Sequence, residues 1–296
     1  AMNSFSGFAN ATNTLTPLAV LDYRERISYD PNGNIQTYNR SGNAARLSMD
    51  DMTYTYKTTN NQLDRVADAA TDAGTAQYPN YNDIKQGQAA GNYQYDAIGN
   101  LISDAAEGIT NIIWTVYGKI DSITKSATNT TIKYGYDASG NRISKAVKVG
   151  GTTTNTIYVR DASGNTMAVY TKDAAINSGA FTQTEISMYG SSRLGVWNIN
   201  RNIAAITSID YSNYKGSFTR GNKLFELANH LGNVLVTVSD KKIGIDVAPQ
   251  NGIIDYTVAE VVTANDYYPG GMMMPGRKYQ AGIGSYRYGF NSKEKS

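Results

Sequence analysis

Residues 134–143 read YGYDASGNRI, and how this stretch is read decides the fold. Aligned on its Asp, with Gly three and Asn four residues on, it recurs as ISYDPNGNIQ from Ile27, YQYDAIGNLI from Tyr93 and YVRDASGNTM from Tyr158. The full copies are thus Asp30-Gly33-Asn34, Asp96-Gly99-Asn100, Asp137-Gly140-Asn141 and Asp161-Gly164-Asn165. Two more are degenerate: YTYKTTNNQL from Tyr54 has Lys57 at the Asp position and keeps Asn61, while ELANHLGNVL from Glu226 has Asn229 there and keeps Gly232 and Asn233. Asp opening a type I turn accepts hydrogen bonds from N–H groups ahead of it, and Gly at the fourth position takes the left-handed conformation that closes a bulged hairpin. Flanking residues alternate with a period of two, as strands do. Each copy therefore predicts a hairpin tip, and the uneven spacing argues against a solenoid of fixed period.

Composition agrees with a mostly β chain. There are 23 Tyr against 6 Phe and 2 Trp, with 28 Gly and only 6 Pro, in 296 residues that are 41% hydrophobic. Tyr, Thr, Ile and Val suit half-buried pleated surfaces. Strands of seven to eight residues over the β-rich spans predict about 24 strands. IIWTVYGKIDSIT from Ile112 reads as strand, turn at Tyr117-Gly118-Lys119, strand. Leu63–Ala90 breaks the style, and its Ala content permits either a short helix near Arg65–Ala70 or a long surface loop. Asn177–Thr182 and Lys241–Asn251 also read as loops, and no linker separates two domains.

The 27 basic and 25 acidic residues give a charge of +2 without blocks of one sign, which offers no electrostatic case for nucleic acid or an anionic membrane. No apolar run reaches the roughly 18 residues of a membrane span. The absence of Cys removes disulfides, thiolate metal sites and thiol nucleophiles. Ala1-Met2 reads as a remnant of expression.

Candidate chemistry is thin. His230, the single histidine, sits at a tip position equivalent to Ala97, Ala138 and Ala162, where a turn residue is the simpler reading than a triad base. The repeat Asp residues lack the alternating oxygens and twelfth-position Glu of an EF-hand, so turn chemistry is preferred to calcium. Glu25, Glu107, Glu185, Glu226 and Glu260 could meet in space as a glycosidase pair, but nothing singles out two of them. Met272, Met273 and Met274 form a soft apolar patch that reads as core packing, or as a contact surface for a further segment. The Tyr-rich strands read mainly as packed faces and secondarily as sugar-stacking ones. No catalytic, cofactor-binding or metal-ligating residue is assigned.

The Tyr-x-Tyr-Asp-x-x-Gly-Asn phrase resembles the YD repeats of Rhs proteins, a group that includes bacterial Rhs toxins, the C component of Tc toxin complexes and the teneurins. More specifically, ANHLGNVLVTVSDKK from Ala228, ANDYYPGGMMMPGRKY from Ala264 and YRYGFNSKE from Tyr286 resemble, in that order, the Rhs repeat-associated core segment in its Bacteroidota form. The likeness runs from about Ile27 to Glu294, with Gly270 where the family usually has an aromatic. It implies an all-β fold: a curved antiparallel sheet of hairpins forming a section of a β-cocoon shell around a C-terminal toxin polypeptide. The expected layout is an N-terminal segment at 1–26, a YD-repeat sheet at 27–225 and a core segment at 226–296. The family's self-cleavage motif and toxin are expected beyond Ser296. The resemblance implies a secreted or cell-surface protein, structural and not enzymatic, partnered by that toxin segment. Exposed edge strands are expected to allow self-association. A carbohydrate-binding adhesion module is the alternative from another class, and a glycoside hydrolase a remote one. A shallow groove lined by Tyr or Trp114 beside Asp and Asn would favour the adhesin.

Overall fold

The computed structural model describes residues 2–9, 14–43, 47–70, 84–205, 219–248, 251–282 and 286–295. Strands β1 (Met2–Ala9) and β2 (Thr14–Val20) pair as a hairpin, and β3 (Glu25–Tyr29), β4 (Ile35–Arg40), β5 (Asp50–Tyr56) and β6 (Leu63–Asp68) form a four-stranded antiparallel sheet in sequence order. The remaining fourteen strands are also hydrogen-bonded in sequence order. They are β7 (Tyr93–Tyr95), β8 (Leu101–Asp104), β9 (Ile109–Trp114), β10 (Ile120–Lys125), β11 (Thr130–Tyr136), β12 (Arg142–Val149), β13 (Thr152–Arg160), β14 (Thr166–Lys172), β15 (Phe181–Tyr189), β16 (Arg193–Asn202), β17 (Lys223–Ala228), β18 (Val234–Ile245), β19 (Tyr256–Tyr267) and β20 (Met273–Gln280). This sheet is open, with β7 and β20 at its ends. The fold is all-β and antiparallel, and short 3₁₀ turns are the sole helical elements among the described residues.

The alternative of a short helix near Arg65–Ala70 is corrected: Leu63–Asp68 is strand β6, paired with β5 from Tyr56↔Leu63 to Met52↔Asp68. Cross-strand pairing with Thr53 and Met52 outweighs the local preference of Ala67 and Asp68. Residues 71–83 of the same stretch lie outside the described residues. The loop expected from Lys241 begins later, because β18 continues to Ile245 against Tyr256. Asn177–Gly179 is a 3₁₀ turn, and Phe181 already belongs to β15.

Two compact units divide the chain. One holds residues 1–109 and 266–278, the other residues 110–265 and 279–296. In the first, Tyr268 is fully buried and donates to the Ser41 carbonyl at 2.6 Å, with Met49 Sδ at 3.8 Å and the Tyr23 ring 6.3 Å away. In the second, Val196, Leu224 and Val234 pack with Tyr286 and Tyr288 as a buried apolar cluster.

The hairpin tips share one construction. In the Asp137 copy, Asp137 N–H donates to Asn141 O and Gly140 N–H to Asp137 O, both at 3.0 Å, and Gly140 has φ +78°. Asp137 Oδ1 accepts from the N–H groups of Ser139 and Asn141, and Oδ2 accepts from the Asn141 side chain. The Asp30, Asp96 and Asp161 copies repeat every one of these contacts. Asn229 Oδ1 accepts from Leu231 and Asn233 N–H in the same way. Gly then forces a one-residue bulge, so the residue before Asp pairs with the fifth after it: Tyr29↔Ile35, Tyr95↔Leu101, Tyr136↔Arg142 and Arg160↔Thr166.

That arrangement explains the second Tyr of the phrase. From the residue before the tip, a side chain reaches back to the first backbone carbonyl past the preceding tip. Tyr56 donates to Ile35 O (3.0 Å), Tyr95 to Leu63 O (3.1 Å), Tyr136 to Ile120 O (2.8 Å) and Tyr189 to Thr166 O (3.1 Å). Where Arg160 replaces Tyr, its Nε makes the equivalent bond to Arg142 O at 2.9 Å. Each brace satisfies a carbonyl beside a bulge and ties one hairpin to the last. Tyr136→Phe is therefore expected to cost about 0.5–1.5 kcal/mol, the net worth of one such bond, as read by urea unfolding. A loss indistinguishable from zero would mean that the hydroxyl is decorative.

Candidate functional site

Residues 286–294, YRYGFNSKE, lie in the second unit on strands whose sequence neighbours are far away. Two alternating tyrosines, Tyr286 and Tyr288, enter the apolar cluster of Val196, Leu224 and Val234, their rings meeting edge to face at 5.9 Å. Gly289 O accepts from Val234 N–H, Asn291 N–H donates to Asn233 Oδ1, and Ser292 Oγ donates to Gly232 O. The tip residues Gly232 and Asn233 therefore hold the segment as well as turning the chain.

Around these contacts sits a chain of ion pairs. Glu226 accepts from Arg193 Nε at 2.9 Å and Tyr286 O–H at 2.5 Å, its side chain 3% exposed, and the Arg193 guanidinium lies 3.5 Å from the Tyr288 ring centre. Arg287 bridges Glu185 (2.6 Å) and Glu294 (2.8 Å). Glu294 also accepts from Arg142 and from Tyr158 O–H. Burial pushes the Tyr286 phenol far up, reinforced by its bond to Glu226, and burial with nearby Glu185 pushes Tyr288 up to about 12. For Glu294 burial alone would raise the carboxyl, but donors from Tyr158 and Arg287 outweigh it and hold it below the ordinary Glu value. The shifts at Tyr286, Tyr288 and Glu294 thus favour the neutral phenols and the charged carboxylate that these contacts use.

The other sequence candidates are dispersed. His230 is exposed at the Asn229 tip. Glu25 pairs with Tyr38, and Glu260 with Ser239 and Lys241. Glu107 closes a turn through its N–H to Asp104. The repeat carboxylates are filled by donors of their own tips, and no three potential ligands converge among the described residues. Met272 and Met274 are half-buried and Met273 exposed. Two further tips have the same construction without an Asp. Thr115-Gly118 and Tyr268-Gly271 carry the same pair of turn bonds, with Gly φ of +69° and +92°. Their signal was the Gly alone, followed by a strand.

The four repeat Asp carboxyls are held below the ordinary Asp value. For Asp30 and Asp161 the main cause is the Asn34 or Asn165 side-chain amide, for Asp137 the Asn141 N–H, and at Asp96 the Asn100 donors outweigh the opposing effect of burial. Each folded value lies below its unfolded one, so the unfolded chain binds protons first as pH falls. Their stabilisation, with that of Glu294, is complete above about pH 4.3 and lost as pH drops through the folded values. Urea midpoints are expected to be level from about pH 7 to 5 and to fall below about 4. Asp137→Asn, whose amide oxygen can accept as Asn229 does, is expected to flatten that fall; an unchanged acid limb would refute the assignment.

No family model and no curated protein matches the chain. Among solved structures, the crystal structure of TcdB2-TccC3-TEV is similar at 12% identity with a TM-score of 0.41, covering 100% of this chain and 17% of that one. The crystal structure of TcdB2-TccC3 without its hypervariable C-terminal region follows at 13% identity and a TM-score of 0.38, covering 99% of this chain and 16% of that one. The chain thus spans about one sixth of the length of the chains it resembles, and the likeness is a loose one of fold.

Proposed function

We propose that this chain is a structural, non-catalytic piece of a YD-repeat wall which, in its parent protein, encloses a C-terminal toxin polypeptide. The observation that carries this reading is the brace: five side chains, four Tyr and one Arg, tie successive tips together at one fixed position of the phrase. Such a device serves continuity along a sheet, and it needs the repeat Asp, Gly and Asn as turn formers and not as ligands. Residues 27–225 would supply the repeated wall and 226–296 a core segment whose Tyr286–Glu294 stretch is seated by buried ion pairs. A secreted or surface location follows from the same reading. The test is proteolysis of the full-length parent protein. Its C-terminal tail should resist protease until the chain is denatured; digestion as fast as that of the free tail would overturn enclosure.

For glycan binding the aromatic faces count against. Of the tyrosines nearest the ion pairs, Tyr158 is capped by Arg142 and Arg160 at 5.2 and 5.8 Å and Tyr288 by Arg193. The self-association expected from exposed edges would fall to edges other than those of the fourteen-stranded sheet, where β7 is three residues long and β20 carries Pro275, Arg277 and Lys278. Light scattering over a concentration series should therefore show at most weak pairing.

A further inference from the structure

A cleft of about 670 Å³ opens in the second unit between the tips at 161–166 and 189–193 and the C-terminal stretch 288–294. Its size is that of a small-molecule site. Four cationic side chains, Arg142, Arg160, Arg193 and Lys293, line it against two carboxylates, Asp161 and Glu294.

The partners of these charges decide what the cleft can hold. Glu294 is taken by Arg142, Arg287 and Tyr158, and the Asp161 oxygens are filled by Ser163 and Asn165 of its own tip. Arg193 is neutralised by Glu226, which is not part of the lining. Arg160 donates Nε and Nη1 to the carbonyls of Arg142 and Gly164, and although its charge is felt at Asp137 it makes no ion-pair contact with a carboxylate among the described residues, which leaves Nη2 for a ligand. Lys293 is exposed at the rim and enters no ion pair among the described residues. Two lining residues also keep a buried donor without a partner, Arg142 Nε and the Tyr288 hydroxyl. A buried donor left unpaired is costly and is ordinarily met by a ligand, ion or water.

We propose that this cleft binds a small carboxylate, held between the Arg160 guanidinium and the Lys293 ammonium. Tyr158 and Tyr288 are buried with Arg side chains over their rings, which leaves Tyr189 as the lining tyrosine open to the face-on stacking that a neutral sugar would use. A planar carboxylate matches a guanidinium edge, and a partly desolvated cleft strengthens the attraction.

The test is calorimetric titration of the whole chain with citrate, inorganic phosphate and glucose, each against sodium chloride of matched ionic strength. Citrate is expected to bind and glucose not to. Lys293→Glu should weaken citrate by about tenfold or more, the worth of one charge-assisted contact of ~1.5–3 kcal/mol. Because the Lys293 side chain is exposed, melting of that variant in plain buffer should be unchanged, which separates lost binding from lost folding. Phosphate binding without citrate binding would overturn the carboxylate assignment. Equal citrate affinity in Lys293→Glu, heat reproduced by sodium chloride, or preferential uptake of glucose would overturn the site.

Discussion

Replacing Glu226 with alanine is expected to destabilise the second unit by about 3–5 kcal/mol, the usual cost of stranding one member of a buried ion pair. The Glu226 carboxylate is 3% exposed and accepts from both Arg193 and Tyr286, while Arg193 is itself only 10% exposed. Without Glu226 the Arg193 guanidinium stays pinned beneath the Tyr288 ring with its charge uncompensated. Glu226→Gln should cost less, since an amide oxygen still accepts one bond. The decisive comparison is the double variant Arg193→Met, Glu226→Leu, because removing both charges avoids the stranded cation and often proves neutral. Urea unfolding of the wild type, Arg193→Met, Glu226→Leu and the double variant completes the cycle. An alanine cost below about 1 kcal/mol, the scale of an exposed pair, would show that water reaches the pair and that it does not anchor Tyr286–Glu294.

What the sequence disclosed, and what it withheld, follows from the range of each interaction. The tips at Asp30, Asp96, Asp137 and Asp161 were legible because donor and acceptor lie within four residues of one another. Strand alternation was legible for the same local reason. The brace was not, although Tyr136 was conspicuous. Its partner, Ile120 O, belongs to the preceding hairpin and is a backbone atom without a signature in the sequence. Strand β6 was missed because Ala67 and Asp68 carry weak local signals, and it is the pairing with Thr53 and Met52 that makes them strand. The ion-pair seat was wholly hidden: Arg287 meets Glu185 across 102 residues and Tyr158 meets Glu294 across 136. The five Glu residues weighed as possible acids proved to have separate partners, and two of them, Glu185 and Glu226, hold the C-terminal stretch in place.

In the first unit the largest loss is expected from Tyr268, which occupies the Asp position of a tip while being 0% exposed. Tyr268→Ala should cost about 3–5 kcal/mol through the cavity left against Met49, Tyr23 and Arg40. Tyr268→Phe should cost only about 0.5–1.5 kcal/mol, for the bond to Ser41 O. Tyr268→Asp is the sharper experiment, because it restores the residue that the repeat phrase prefers at this place. If tip chemistry governed the position, that change would be mild. The environment argues otherwise. A carboxylate there would be buried where Arg40 is already engaged by Asp50, and it would abandon the same cavity. Tyr268→Asp is therefore expected to be at least as damaging as Tyr268→Ala in thermal and urea unfolding. A milder outcome for Asp would mean that the turn, and not the packing of the ring, decides this tip.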